Sequence, residues 1–209
     1  MVLKLGYTNV RRPLGRRHGP ATIGAEVGVH PYTAAVVGRL EDARAGLRRA
    51  VDTVPAELRG RRPADDCWSV NDVLEHLSKV ETLFATRVSE AIAAAREAGV
   101  GPEQAAERAV LPANIETVVA DRVNKRTAPE PARPTSGLDN DAAWQAVDRA
   151  RRKLIETLSA ADGLALSEVF TAHPFFGRMT IYQMSELIAA HEARHTAQIV
   201  EVGGRLAQA

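Results

Sequence analysis

Apolar side chains recur at helical spacing in four long stretches of the chain. The first covers about residues 32–54, the second runs from Ser69 to just before Gly99, the third covers about residues 141–160, and the fourth follows Thr180. Within each stretch an apolar residue returns every three or four positions, which is the pattern of an amphipathic helix. The pattern predicts four helices whose apolar stripes face one core.

Local sequence signals place the ends of two of these helices. Ser69 with Asp72, and Thr180 with Gln183, have the spacing of a capping box, in which two side chains bond each other's backbone N–H groups. Two consecutive glycines, residues 203–204, are expected to end the fourth helix.

The second and third helices are joined by a long crossover. It contains short helical pieces and the proline-rich run of residues 128–134. No β-hairpin signal is found before the fourth helix. The sequence therefore predicts an all-α fold, a four-helix bundle with a long crossover between helices 2 and 3, whose core can hold a site between facing helices.

Composition supports the helical prediction and narrows the setting. Hydrophobic residues make up 45% of the 209 residues and aromatic residues only 4%. The single cysteine, Cys67, cannot form an intramolecular disulfide and is expected to be a buried small residue. The sequence has neither an apolar run long enough to span a bilayer nor a secretory signal, so we expect no membrane contact and a cytoplasmic location.

Charge is distributed unevenly. Residues 1–25 hold five of the 27 basic residues and no acidic one, which leaves 22 − 26 = −4 for the rest. We expect residues 1–31 to be a poorly ordered basic arm, residues 32–206 the bundle and residues 207–209 a short tail. Because the bundle lacks a broad basic face, we expect no nucleic-acid partner.

Candidate chemistry centres on histidines. His191 and His195 are four residues apart in the motif HEARH, so they lie on one face of the fourth helix, and His76 lies on the apolar stripe of the second. A hydrogen-bonded core histidine is the alternative for each ring taken alone. Three such rings need polar partners that this core hardly offers, which favours a shared metal site.

The same letters match the H-E-x-x-H motif of zinc proteases, in which Glu192 would be the base. Only 14 residues follow His195, which leaves no room for the usual distal ligand helix. In the longer protease motif Gln198 replaces a glycine and Glu201 replaces the last histidine. The protease is therefore a minor alternative, and Glu192 is expected either on the solvent side or behind the ligands.

Three motifs resemble one family. They are WSVNDVLEHL at residues 68–77, HPFFGRMT at residues 173–180 and HEARHTAQI at residues 191–199. In this order they are similar to the DinB/YfiT-like superfamily, and the resemblance covers about residues 32–206. It implies an up-down-down-up four-helix bundle with a divalent metal on a histidine triad, here His76, His191 and His195.

The resemblance also implies a range of activities. Members of the superfamily are similar to S-transferases and isomerases that use thiols such as mycothiol or bacillithiol, and others are described as metal-dependent hydrolases. We therefore expect Zn²⁺, Ni²⁺ or Fe²⁺ to activate a low-molecular-weight thiol or water towards a small electrophilic substrate. Two alternatives stay open: a non-catalytic metal-binding stress or interaction protein, and a homodimer formed through apolar helix faces.

Four further residues are candidates for the surroundings of the metal. His173 either lines the open side of the site or holds its turn, and the turn is favoured. Tyr182 and Glu192 are expected at the mouth of the site or in solvent. For Arg194, next to a candidate ligand, a solvated face is expected.

Overall fold

The computed structural model describes residues 29–124, 127–135 and 137–208, and most of this chain is helical. The predicted basic arm lies outside the described residues up to position 28. The elements in chain order are α1 (Pro31–Asp52), α2 (Val70–Glu97), α3 (Ala113–Ala120), α4 (Asn140–Ala160), β1 (Phe170–His173), β2 (Gly177–Thr180) and α5 (Ile181–Leu206).

Four of these helices form a bundle, as predicted. The most extensive helix packing joins α2 to α4 and α1 to α5, while α2 also packs on α5. The crossover between α2 and α4 carries the short helix α3, which packs on α5, and a single 3₁₀ turn at Glu130–Ala132, which packs on α2. The crossover therefore lies along the seam between α2 and α5. None of the described helices has the length and apolar character needed to cross a bilayer.

The predicted helix starts are confirmed. Ser69 caps α2 by accepting a hydrogen bond from the Asp72 N–H, while the Asp72 carboxylate accepts one from the Ser69 N–H. Thr180 and Gln183 form the same reciprocal pair at the start of α5. Such caps satisfy backbone donors that the first helical turn leaves unpaired.

The predicted end of the fourth helix is wrong, because α5 continues through the two glycines to Leu206. A Cβ atom at Gly203 would lie 2.8 Å from Cγ2 of Val54, whereas one at Gly204 would meet nothing within 4 Å. Gly203 thus allows the segment after α1 to approach α5 closely. The first glycine serves packing and does not end the helix.

The expectation of no hairpin is also wrong. Strands β1 and β2 pair antiparallel, from Phe170 opposite Thr180 to His173 opposite Gly177. Gly177 has φ +74, a left-handed conformation that favours glycine after a three-residue turn. Strands of four residues are too short to show a clear alternation of apolar and polar residues. The glycine that follows the turn was therefore the sequence signal from which the hairpin could have been predicted.

Cys67 departs from its expected burial. Its side chain is half-exposed, and its sulfur lies 3.5 Å from Nη1 of Arg205. The residue belongs to the irregular segment that precedes α2, where the chain lies at the surface.

A layer of charged side chains divides the bundle core into two apolar clusters. We call it the charged layer, and each bundle helix supplies one member: Arg44, Glu81, Arg151 and Glu192. Arg44 donates to Glu192 at 2.6 Å and to Glu81 at 3.1 Å, and Arg151 donates to the same two carboxylates. Two guanidinium groups and two carboxylates therefore neutralise one another inside the protein.

Candidate metal centre

The three histidines expected at the site lie together between α2 and α5. His76 projects from α2, and His191 and His195 project from successive turns of α5. Their candidate ligand nitrogens all lie within 4.8 Å of one another. His76 is 4% exposed and His195 6%, while His191 is half-buried. We call these three residues the triad.

Hydrogen bonds to the outer ring nitrogens orient two members of the triad. Nδ1 of His76 lies 2.7 Å from the Ala132 carbonyl oxygen, and Nδ1 of His195 lies 2.8 Å from Oε1 of Gln198. A carbonyl oxygen only accepts, so Nδ1 of His76 carries the proton and its Nε2 is left with a free lone pair. This is how histidines that bind metals are usually held.

Burial keeps the triad neutral. Loss of solvent lowers the pKa of His191 to about 3, helped by the repulsion that its protonated ring would meet from a protonated His76 or His173 and from Arg194. Burial also lowers the pKa of His195 well below its usual value, and that of His76 in the same direction. Neutral imidazoles are the form that binds metal ions, so at neutral pH no proton has to leave before a metal binds.

The spacing of the nitrogens suits a metal. Nε2 of His191 lies 3.2 Å from Nε2 of His195. Two nitrogens bound to one tetrahedral Zn²⁺ are separated by about 3.3 Å, as follows from a metal–nitrogen distance near 2.05 Å. An all-imidazole donor set suits Zn²⁺, Ni²⁺ and Fe²⁺. The residues present therefore fit a divalent cation.

Trp68 covers one side of the triad. Its ring centre lies 4.9 Å from that of His76 and 6.3 Å from that of His195, to which it is nearly parallel. The aromatic ring removes water from the imidazoles on that side, which strengthens any charge interaction within the site. The sequence motif contained this tryptophan without indicating its position against the triad.

Glu192 does not lie on the solvent side. It is 2% exposed, and its two carboxylate oxygens accept hydrogen bonds from Arg44 and Arg151 in the charged layer. Although it separates His191 from His195 in sequence, it faces the bundle interior. A carboxylate occupied in this way is not placed to act as the base of a zinc protease.

Arg194 is not on a solvated face either. It is half-buried, and its Nη1 donates to the carbonyl oxygens of Val119, at 3.2 Å, and Asp121. The side chain thus holds the end of α3 and the start of the following segment against α5. Its positive charge contributes to the lowered pKa of His191 and of His195.

Tyr182 lies neither at the mouth of the site nor in solvent. It is completely buried, and its ring meets that of Tyr32 edge-on, with centres 6.0 Å apart. His191 follows it by nine positions in α5, a rise of roughly 14 Å along the helix axis. Tyr182 belongs to the core at the start of α5.

His173 holds the hairpin turn. Its Nδ1 accepts hydrogen bonds from the backbone N–H groups of Phe175, at 3.2 Å, and Phe176, at 3.3 Å. Its ring also stacks on Phe84, with centres 5.2 Å apart. Burial and the nearby Arg87 lower the pKa of His173 to about 4, so the ring is a neutral acceptor at pH 7.

Sequence reasoning missed the groups that orient the rings. Gln198 follows His195 by three residues, a spacing at which helical side chains meet, and this was an available signal. The Ala132 carbonyl belongs to the proline-rich part of the crossover, where no periodic pattern indicates which atom faces the bundle.

Comparison with known proteins identifies the family of this chain. Residues 39–199 match the model of the DinB superfamily. The chain is 26% identical over 154 residues to the uncharacterized protein YuaE of Bacillus subtilis (strain 168), covering 73% of this chain and 88% of YuaE. It is also similar to TT2238, a four-helix bundle protein, with 20% identity, a TM-score of 0.48, and coverage of 79% of this chain and 96% of that one. The family match extends from α1 into α5 and includes the whole triad, so this chain belongs to the DinB superfamily.

Proposed function

We propose that the triad binds one divalent metal ion and that the protein uses it to activate a thiol or a water molecule towards a small electrophile. The observation that carries the proposal is the convergence of three neutral imidazoles, with nitrogens within 4.8 Å of one another, of which two are buried and that of His191 is half-buried. Membership of the DinB superfamily supports the proposal, since the residues that match the family, 39–199, include all three histidines.

The residues of this chain have distinct tasks in such a reaction. The triad holds the cation through Nε2 atoms, while Ala132 and Gln198 keep two of the rings in the orientation that this needs. Trp68 keeps bulk water away on one side. A bound divalent cation supplies the remaining chemistry, because it lowers the pKa of a coordinated water or thiol towards neutrality.

Three histidines leave part of a metal's coordination sphere to a substrate or solvent, which is typical of catalytic sites. His191, the least buried of the triad, marks the side from which a small molecule reaches the site. In the transferase version, the thiol sulfur forms a bond to carbon as a halide leaves, and the thiol proton passes to solvent. In the hydrolase version, the oxygen of a water molecule forms a bond to the carbonyl carbon of an ester or amide as the bond to the alcohol or amine breaks, and the leaving group departs with one proton of the water.

Metal binding without turnover is the second candidate. Burial of His76 and His195 favours it, because a structural site is closed to substrate. The two functions differ in whether a ligand can reach the metal once it is bound.

Metal analysis of the purified protein tests the common part of the proposal. We expect about one divalent ion per chain in the wild type and loss of that ion in His195→Ala. His30→Asn is the matched control, because it removes another histidine while keeping a side chain that can cap α1. Wild-type protein without stoichiometric metal, or His195→Ala with unchanged metal content, contradicts the proposal.

Turnover is tested separately on the metal-loaded protein. A panel of low-molecular-weight thiols is mixed with an alkyl halide, and loss of free thiol is followed with and without the protein. Thiol consumption that is absent in His195→Ala supports the transferase. Ester or amide cleavage without thiol supports the hydrolase, and metal binding with neither activity supports the second candidate.

A further inference from the structure

Gln198 connects the triad to the crossover. Its Oε1 lies 2.8 Å from Nδ1 of His195 and 3.5 Å from Nη1 of Arg122. Arg122 follows α3 in the crossover and is itself anchored to α5, because its Nε and Nη2 donate to the two carboxylate oxygens of Glu201 at 3.1 and 2.5 Å. The guanidinium group is therefore held in place beside the amide of Gln198.

This contact decides which end of the Gln198 amide faces His195. An amide can present either its oxygen or its NH₂ group to a neighbour, and the two ends have nearly the same shape. An arginine has only donors, so the amide oxygen must face Arg122. Because the same oxygen contacts His195, Nδ1 of His195 has to donate.

The opposite arrangement is also available to the ring. If the NH₂ group faced Nδ1, the proton of His195 would move to Nε2, where Nε2 of His191 lies 3.2 Å away and can accept it. A ring protonated on Nε2 has no lone pair there to give to a metal. The choice between the two tautomers therefore rests on the orientation of one amide.

We propose that Arg122 is a positioning residue of the triad: by holding the Gln198 oxygen towards His195, it keeps the proton of His195 on Nδ1 and leaves Nε2 free to bind a metal. The inference rests on the metal binding proposed above for its function, although the tautomer itself exists without metal. His76 needs no such residue, because the Ala132 carbonyl that orients it has no donor end.

Nitrogen NMR of the metal-free protein, labelled with ¹⁵N in histidine and kept at pH 8, reports which ring nitrogen carries the proton. In the wild type we expect His76 and His195 to carry it on Nδ1. In Arg122→Met we expect His195 to populate both tautomers while His76 does not change. The dissociation constant of Zn²⁺ should rise about two- to fivefold, the effect of losing one partly exposed hydrogen bond.

A control and a rescue separate positioning from general loss of structure. Arg39→Met removes a comparable bond, from Arg39 to Glu116 on α3 at 2.6 Å, and should leave both tautomers and metal affinity unchanged. Gln198→Glu supplies a carboxylate that accepts from either side, so adding Arg122→Met to it should no longer shift the tautomer of His195. If Arg122→Met does not fold, Glu201→Gln loosens the same guanidinium and should shift the tautomer in the same direction.

Three results overturn the inference: an unchanged His195 tautomer in Arg122→Met, equal changes in His76 and His195, or a shift that persists in the Gln198→Glu background. A different result would refute the proposed function. Wild-type protein that takes up no Zn²⁺ refutes the metal proposal but leaves the tautomer result standing, whereas normal metal binding with an unchanged tautomer refutes this inference alone.

Discussion

Arg151 offers the most informative single substitution in the bundle. It is 4% exposed and donates to Glu81, to Glu192 and to the Leu40 carbonyl oxygen. Arg151→Met keeps much of the side-chain length but removes its charge and its donors. The charged layer would then contain two carboxylates and only one guanidinium group, that of Arg44.

The magnitude follows from what is left unpaired. Removing one partner of a buried ion pair typically destabilises a protein by about 3–5 kcal/mol, because the other charge stays buried without compensation. Here Arg44 continues to donate to Glu192 and to Glu81. We therefore expect a loss near the lower end of that range, about 3 kcal/mol, at pH 7.5.

The loss should depend on pH with a defined sign. Burial raises the pKa of Glu81 above its usual 4.5 although Arg151 opposes the shift, so removing Arg151 raises it further. A carboxyl group whose pKa is raised by folding binds a proton more readily in the folded protein than in the unfolded chain. The folded state therefore gains stability as the pH falls through the raised pKa towards 4.5. The deficit of Arg151→Met relative to the wild type is thus expected to shrink between pH 7.5 and 5.5.

Urea unfolding followed by circular dichroism measures both quantities. Arg152→Met is the matched control, because it makes the same change at the next, exposed position and should stay within about 0.5 kcal/mol of the wild type. Adding Glu81→Gln to Arg151→Met leaves one carboxylate and one guanidinium group in the charged layer, so the double variant should recover part of the lost stability. A loss of stability below about 1 kcal/mol, or a loss that does not change with pH, would show that Arg151 does not compensate the buried carboxylates.

Two other outcomes are expected. Burial lowers the pKa of every member of the triad, that of His191 to about 3. Below pH 6.5 the unfolded chain therefore binds protons that the folded, metal-free protein does not bind. The free energy of unfolding of the metal-free protein should fall with pH by up to about 1.4 kcal/mol per pH unit for each histidine. Urea titrations at pH 7.5 and 5.5 test this, and equal stabilities would contradict it. Gly203→Ala should destabilise by about 1–3 kcal/mol through its clash with Val54, whereas Gly204→Ala, with open space, should stabilise by up to about 1 kcal/mol, as thermal unfolding can show. The same sign for both glycines would be inconsistent with the packing described here.

Local sequence signals predicted the features that depend on neighbouring residues. The capping pairs Ser69–Asp72 and Thr180–Gln183 act within one helical turn, so their letters were sufficient. The triad was accessible for a related reason: two of its members are four residues apart on α5, and His76 interrupts an apolar stripe.

Features that depend on residues far apart in the chain could not be predicted from the sequence. Each member of the charged layer is one of several charged residues on its own helix, so no local pattern distinguishes it, and its partners lie between 37 and 148 residues away along the chain. Glu192 was therefore expected either on the solvent side or behind the ligands, and its place in the charged layer was not foreseen. Arg122 likewise contacts Gln198 only because the crossover returns to α5, and no local pattern determines that path.

Anomalous diffraction from crystals of the metal-loaded protein shows directly whether the triad binds a metal ion. Data collected above and below the absorption edge of the bound metal locate the ion without reference to any assumed ligand. We expect one anomalous peak per chain, about 2.0–2.2 Å from the Nε2 atoms of His76, His191 and His195. No peak after loading, or a peak that fewer than three of these imidazoles surround, would contradict it.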